Sequence, residues 1–230
     1  MSEGVYNIVS KPGERVFRIR TGVGIVVGSH RLWSHRSFSA HWSVRLICAI
    51  LNSMSLHDSV FDFAWYHRAH HKYTDQMGDH TNIKRGFFYA HIGHTMLKDH
   101  PEIIKAKSKI DVTDLLEDPI IRFERAFTIP ITIVMSLILP TLIATYFWNE
   151  SFYVAVVFLF GLRTVLAKHI GYAAGSIVHM KGFREYDASL SAARFLPLKP
   201  FLFGEHEHNY HHTFPCDYRT SESYSLTDSP

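Results

Sequence analysis

Histidine is the residue type in this chain best suited to chemistry, and eight of the 17 histidines among 230 residues fall in three short clusters. The clusters read His30-Arg-Leu-Trp-Ser-His35, His67-Arg-Ala-His70-His71 and His208-Asn-Tyr-His211-His212. On an α-helix, positions i, i+3 and i+4 lie within an arc of about 100°, so each HxxHH box can direct three imidazoles to one place. The five-residue spacing of the first cluster suits one helix face less well. We therefore expect that cluster where a helix ends or bends.

Neutral imidazole is a good ligand for iron, zinc, copper and nickel. Eight clustered histidines exceed the roughly six ligands of a single ion, so they predict two metals that share them. Zinc hydrolases use three protein ligands and a water, and their HExxH signature is absent from this sequence. A pair of redox metals bound by imidazole alone favours oxygen chemistry over hydrolysis. Seven further histidines are interpreted as ordinary surface or core residues: His41, His57, His80, His91, His94, His100 and His169.

Two apolar segments are long enough to cross a membrane. The first, 127–148, contains no charged residue, and the second, 152–178, is interrupted by Arg163, Lys168 and His169. At about 1.5 Å of rise per residue, each can span a hydrocarbon core of about 30 Å. The polar residues Asn149 to Ser151 form the turn between them. The alternative is a buried helical hairpin in a soluble protein.

Charge on both sides of this hairpin predicts its orientation. Cations occur before and after it and are absent from its turn, so both flanks are expected to face the cytosol. All histidine boxes then share one compartment. The shorter apolar stretch 44–56 contains Arg45 and is interpreted as an interfacial or partly buried helix. The flanking cations are Lys105, Lys107, Lys109, Arg122, Arg125, Lys181, Arg184, Arg194 and Lys199.

Composition excludes several other classes of protein. The net charge of +3 is mild and shows no nucleic-acid-binding patch, so no nucleic acid partner is expected. Cys48 and Cys216 are far apart, which predicts two free thiols and no disulfide framework. No apolar run near the start resembles a signal peptide. The predicted fold is an all-α membrane protein, a transmembrane helical hairpin with a cytosolic histidine-rich helical cap. The predicted segments are a polar N-terminal 1–21, a domain 22–220 and a tail 221–230.

Four stretches of the sequence resemble the acyl-CoA delta-9 (stearoyl-CoA type) desaturases of the membrane fatty acid desaturase family. They are GSHRLWSHRSF (28–38), HRAHHKYTD (67–75), KRGFFYAHIG (84–93) and HNYHHTFPCDY (208–218). The resemblance implies that nine histidines hold two ferrous ions: the eight clustered ones and His179, in the sequence GSIVH. It also implies a desaturase of the endoplasmic reticulum membrane that places a cis double bond, of the delta-9 type, in a fatty acyl-CoA. Dioxygen would be the oxidant, and cytochrome b5 would deliver the electrons. Lys98 would lie near the CoA phosphates and Tyr172 beside the acyl tunnel.

The sequence also departs from the family pattern. The two spans that precede the first box in the family are expected to be missing, so the domain is expected to be incomplete on its N-terminal side. Gly175 replaces an asparagine that contacts one iron through water, Tyr66 replaces an aspartate, and Asp99 replaces a basic residue. Tyr172 replaces a tryptophan, and His206-Glu207 replaces Gly-Phe. Two alternatives therefore stay open: a related di-iron lipid hydroxylase, and a non-catalytic truncated paralogue that binds metal or a partner in the membrane.

Overall fold

The computed structural model describes residues 22–222, and within that range the chain is helical without a β-strand. Two isolated bridges, Phe183–Arg194 and Arg194–Glu207, are the extended pairings of that part of the chain. The predicted segment 1–21 and most of the tail, 223–230, lie outside the described residues. The helices are α1 (Gly24–Ser34), α2 (Trp42–Ser53), α3 (Val60–Tyr73), α4 (Phe87–His91), α5 (Pro101–Lys107), α6 (Thr113–Glu117), α7 (Pro119–Ala126), α8 (Thr128–Phe147), α9 (Phe152–His179) and α10 (His208–Thr213).

The chain forms two compact units. Among the described residues, the span unit contains 22–29, Ala40–Phe61 and Leu115–Lys168, whereas the histidine unit contains His30–Ser39, Asp62–Asp114 and 169–222.

In the span unit, α8 and the first part of α9 form the predicted hairpin. Their bounds differ from the predicted spans by only one residue at three of the four ends and agree at the fourth. Ala144, Ala155 and Leu159 form the packed contact between the two helices. Ser151 begins α9 as a helix cap, since its hydroxyl accepts a hydrogen bond from the Val154 amide at 3.2 Å.

The apolar faces of these two helices are exposed. Only 28% of the most apolar window of α8 and 17% of that of α9 is buried within the protein. A hairpin at the core of a soluble protein would be mostly buried, so the soluble alternative is not supported. Arg163 is nonetheless accommodated, because its guanidinium donates to the Ser136 carbonyl at 2.9 Å in a buried contact. A spanning helix tolerates a charged residue when it has such a partner.

The shorter apolar stretch forms α2, which is partly buried, one of the two arrangements that the sequence predicted. Trp42 and Ile47 on one side are exposed, while Cys48 and Asn52 on the other are buried. Gly24 in α1 packs directly against this helix, where a Cβ atom would lie 2.4 Å from the Asn52 amide nitrogen. The contact therefore requires glycine. Both cysteines are free thiols, as predicted: Cys48 is buried and Cys216 is exposed.

The histidine unit contains the short helices and turns that carry the boxes. The second box lies on the last two turns of α3, and the third box makes up most of α10. His100 caps α5 by accepting from the Glu102 amide at 3.2 Å, and Pro101 occupies the first helical turn, where its missing N–H costs nothing.

Candidate metal centre

Nine buried or half-buried histidines of the histidine unit form two groups in which every potential ligand atom lies within 4.8 Å of the others. The first group has five members: His30, His35, His67, His71 and His211. The second has four: His70, His179, His208 and His212. These are the nine residues predicted to be ligands, and the structure brings all of them together.

Each HxxHH box divides its side chains between the two groups. On α3, His67 and His71 belong to the five-histidine group and His70 to the other. On α10 the division is reversed, since His208 and His212 share one group and His211 joins the other. The expectation that a box directs three imidazoles to one place was therefore wrong. Around a helix, position i+4 lies only about 40° from position i, whereas position i+3 lies about 60° from position i in the opposite direction.

The first box occupies the end of a helix, as expected. Helix α1 is π-helical and ends at Ser34, and the His35 amide donates to the His30 carbonyl at 3.1 Å. A π-helix repeats its hydrogen bonds at five residues instead of four. The five-residue spacing that suits an α-helix poorly therefore places both imidazoles in one group, with 3.2 Å between their Nε2 atoms.

Arg68, between the ligands of the second box, ties the first box to α3. Its guanidinium donates to the Trp33 and Ser34 carbonyls at 2.6 and 3.1 Å, which are groups that a helix leaves unpaired at its end. The same guanidinium contacts both carboxylate oxygens of Asp114, at 2.7 and 2.8 Å. Burial raises the pKa of Asp114, but hydrogen bonds from Arg68 and Arg36 outweigh it and lower that pKa to about 2. The ion pair therefore persists at neutral pH.

The imidazoles direct their Nε2 atoms at one another. In the five-histidine group, the Nε2 atom of His35 lies 2.8 Å from that of His67, and that of His211 lies 3.1 Å from that of His71. In the four-histidine group, the Nε2 atom of His208 lies 3.0 Å from that of His179 and 3.1 Å from that of His212.

Several of the Nδ1 atoms, which lie on the side of the ring opposite Nε2, have a hydrogen-bond partner. His30 faces the Glu205 carboxylate at 3.1 Å, His70 faces Asp79 at 2.8 Å, and His179 faces the Ser191 hydroxyl at 2.7 Å. A carboxylate accepts a hydrogen bond from the Nδ1–H group, so the lone pair of the neutral ring is on Nε2. Partners of this kind orient metal-ligating imidazoles in proteins.

Burial and mutual repulsion keep most of these imidazoles neutral. Burial and then the neighbouring imidazoles hold the pKa values of His35, His67 and His71 well below the ordinary value. Burial lowers the pKa of His208 to about 3. For His70, burial lowers the pKa, but the charge and hydrogen bond of Asp79 outweigh it and leave the pKa raised.

The donor set fits two transition-metal ions. Lone pairs of neutral imidazoles that face each other at about 3 Å repel unless a cation lies between them. Two nitrogens about 2.1 Å from one ion and at right angles are about 3 Å apart, as these are. Nine imidazoles with no carboxylate ligand suit iron, copper, nickel or zinc and exclude magnesium and calcium, which bind oxygen.

Neither group of potential ligands includes the two residues predicted to contact substrate. Lys98 is exposed on the loop before α5. The half-buried Tyr172 ring lies 5.9 Å from the His91 ring, 5.8 Å from that of His94 and 6.0 Å from that of His169.

Two of the unusual residues contact each other. The Tyr66 hydroxyl donates to Asp99 at 2.6 Å, and the Lys107 amine lies 3.6 Å from the same carboxylate and 3.4 Å from the centre of the Tyr66 ring. Where the family pattern has an asparagine, Gly175 lies against Thr81, and a Cβ atom there would be 3.3 Å from the Thr81 methyl group.

Sequence reasoning did not find the outer partners Asp79, Glu205, Arg68 and Ser191. Of these four residues, only Asp79 could have been suggested by the sequence, because it is an acidic residue eight positions after the second box. Glu205 and Ser191 approach the ligands through loops whose course no spacing predicts.

Two helices long enough to cross a membrane and two groups of imidazoles that could each hold a metal ion are features typical of a membrane metalloprotein. The family model described as fatty acid desaturase matches residues 16–222. The chain therefore belongs to the fatty acid desaturase family.

Curated relatives of known name are similar over most of this chain. The Delta(9)-fatty-acid desaturase fat-6 of Caenorhabditis elegans is 41% identical over 205 residues, which is 89% of this chain and 60% of the relative. Stearoyl-CoA desaturase 5 of Homo sapiens is 40% identical, over 87% of this chain and 61% of the relative. An Acyl-CoA Delta(11) desaturase of Choristoneura rosaceana is also 40% identical, over 87% and 59%. The chain thus spans about three fifths of the length of these relatives.

Proposed function

We propose that this chain forms the di-iron centre of an acyl-CoA desaturase. The observation that carries the proposal is the pair of adjacent groups of buried imidazoles, five and four in number, in a member of the fatty acid desaturase family. The nine ligands are His30, His35, His67, His70, His71, His179, His208, His211 and His212. Iron bound by imidazoles alone is suited to reactions with dioxygen. The carboxylates of Asp79 and Glu205 are not ligands; they hydrogen-bond to the ligand rings and orient them.

The reaction removes one hydrogen from each of two adjacent methylenes and forms a cis double bond. Four electrons reduce dioxygen to two waters: two come from the acyl chain with its two hydrogens, and two come from an external donor with two protons. Bound iron would supply the activation of dioxygen. The proposed donor is cytochrome b5, and the proposed product position is delta-9, which the names of some relatives support and those of the delta-11 relatives do not.

The chain's own residues would position and shield this centre. Glu205 and Asp79 fix the tautomers of His30 and His70, so that both present Nε2 to a metal. Arg68 holds the ligands of the first two boxes together. Burial of the ligands excludes water from the centre, and this protects a reactive site from side reactions. Lys98 and Tyr172 are proposed to contact the CoA and acyl parts of the substrate.

The location proposed for this protein is based on the cations that flank the helical hairpin. We propose the endoplasmic reticulum membrane, with α8 and α9 as spans and the histidine unit on the cytosolic side. Glycosylation tags at either end of the chain are expected to stay unmodified, whereas a tag inserted in the Asn149–Ser151 turn is expected to be glycosylated. Endoglycosidase sensitivity on gels measures this, and the same tags without their acceptor asparagine are the control. A glycosylated N-terminal tag would contradict a shared cytosolic face.

The function is tested by iron content and lipid product together. The chain, loaded anaerobically with ferrous iron, is expected to bind about two ions. A version that carries two upstream spans from an intact relative is expected to produce monounsaturated acyl chains in a yeast strain that lacks its own desaturase. Mass spectrometry of the lipids gives the product and its double-bond position. Hydroxylated acyl chains would favour the hydroxylase alternative. A chain that binds neither iron nor any comparable pair of ions would overturn the proposal.

A non-catalytic metal-binding protein is a second candidate, and Gly175 favours it. At the position where the resemblance implies an asparagine near iron, this chain has no side chain, and Thr81 lies alongside. This candidate would be supported if the wild-type chain bound two irons but formed no lipid product, and if the Gly175→Asn variant also formed none.

A further inference from the structure

A groove in the span unit lies between α2, α7 and the first turn of α8. Its volume is about 250 Å³, and its lining is almost entirely apolar. Leu46, Ala49 and Ile50 line it from α2, where positions i, i+3 and i+4 share one helix face. Phe123 lines it from α7 and Ile131 from α8. The groove is therefore formed by the apolar faces of two surface helices beside the start of a membrane-length helix.

Polar contacts hold the walls of the groove without making its lining polar. The Ser53 hydroxyl donates to a backbone carbonyl one turn earlier at 3.0 Å, and the Glu124 carboxylate accepts from the Val60 amide at 3.2 Å. Both side chains line the groove, but these polar atoms bond to backbone. An ion pair between Arg45 and Asp118 joins α2 to the residue that caps α7. This ion pair fixes the two walls relative to each other.

The groove lies at the level where α8 enters the membrane. At about 1.5 Å of rise per residue, Ile131 is only about 5 Å along the helix axis from Thr128, the first residue of α8. Apolar side chains at and beside the groove are exposed: Phe123 and Trp42 by 60% each, and Ile47 by 56%. Exposed aromatic residues are enriched where the hydrocarbon core meets the lipid headgroups. The groove is therefore placed to contact lipid.

We propose that the groove binds one acyl chain of a phospholipid from the leaflet where α8 begins. An exposed apolar groove beside a membrane span adjoins hydrocarbon, and a void there would lose the dispersion contacts that a lipid chain supplies. The volume lies just below the range of about 300 to 1,000 Å³ for sites of drug-sized ligands, which suits part of a single chain. Lipid tails are as apolar as the groove, so the bound chain exchanges with the bilayer. The proposal rests on α8 as a membrane span and not on the metal centre.

Photo-crosslinking of the full chain in phosphatidylcholine nanodiscs tests this proposal. The probe is a phosphatidylcholine with a diazirine on one acyl chain, and mass spectrometry of peptides locates its attachment. Crosslinks are expected to concentrate on the α2 and α7 residues that line the groove. Ile50→Trp, which places a larger side chain in the groove, is expected to lower these crosslinks at least about 5-fold, because the lipid chain then loses its contacts. Ile47→Trp is the matched control, since Ile47 is exposed on the same helix and does not line the groove.

Benzoylphenylalanine in place of Leu46 provides a second measurement, because it attaches to whatever occupies the groove. A phospholipid adduct is expected. Attachment to another segment of this chain or to a second copy would overturn the proposal. Lipid crosslinks spread evenly along α8 and α9 would also overturn it, as would equal crosslinking of Ile50→Trp and wild type when circular dichroism shows that both keep their helices. Iron content and lipid desaturation enter neither measurement, so this proposal and the desaturase proposal fail separately.

Discussion

Replacing both His67 and His71 with alanine is expected to lower the iron content from about two ions per chain to about one. Replacing both His70 and His71 leaves four and three imidazoles in the two groups, so it is expected to weaken the binding of both ions without abolishing either site. The reason is that His67 and His71 belong to one group of imidazoles, whereas His70 belongs to the other. Either double variant removes two neighbouring imidazoles from the same helix, so general damage to α3 affects both alike. Iron counting by mass spectrometry after anaerobic loading measures the difference.

Lipid product is expected to fall at least about 100-fold in both double variants. Loss of an outer partner of a ligand already costs about 10- to 100-fold, and loss of the ligand itself removes more. His100→Ala is the control, because this exposed histidine caps α5 and lies outside both groups. Equal iron contents in the two double variants would contradict the division of each box between two sites.

Removal of the two buried carboxylates is expected to give the second largest effect. Asp79→Asn is expected to weaken iron binding at the four-histidine group by about 10- to 100-fold, and Glu205→Gln to weaken it similarly at the five-histidine group. Each acid faces the Nδ1 atom of one ligand, His70 or His30, and removing its charge makes the opposite ring nitrogen a poorer donor. Competition with a chelator of known affinity measures both losses.

The control for these variants is Asp111→Asn, on the exposed loop before α6. It is expected to bind iron as the wild type does. The design separates a specific effect from lost stability, since circular dichroism follows helix content in the same samples. Variants that keep their helices and also keep wild-type iron affinity would show that the carboxylates do not orient the ligands.

The unusual residues of this chain form contacts with each other, which bears on whether the protein has lost its function. Tyr66 and Asp99 are hydrogen-bonded at 2.6 Å, and Lys107 contacts both. Gly175, by contrast, adds no polar group: the Thr81 methyl lies beside it, and the Thr81 hydroxyl lies 3.1 Å from the Nδ1 atom of His70. Unmatched substitutions leave buried polar groups unpaired, and the contacts among Tyr66, Asp99 and Lys107 do not. Gly175 therefore favours the non-catalytic candidate, whereas the Tyr66 contacts do not.

The amino-acid sequence was enough to predict the helical hairpin, the two free thiols and the eight clustered histidines, whereas His179 was predicted from the resemblance to the desaturases. These features depend on local rules: apolar length decides whether a helix can span a membrane, and side chains three or four residues apart share a helix face. It also indicated two metals, because the number of imidazoles exceeds the capacity of one ion.

The division of the ligands between two groups, and the residues that hold them, became known from the three-dimensional structure. Each HxxHH box contributes to both groups, because an angle of about 100° around one helix separates neighbours such as His70 and His71. Glu205 comes within 3.1 Å of His30 across 175 residues of sequence, and His91 within 2.9 Å of His169 across 78. Spacing along a chain cannot predict such contacts, since they depend on the paths of loops, and these are set by packing and not by periodicity.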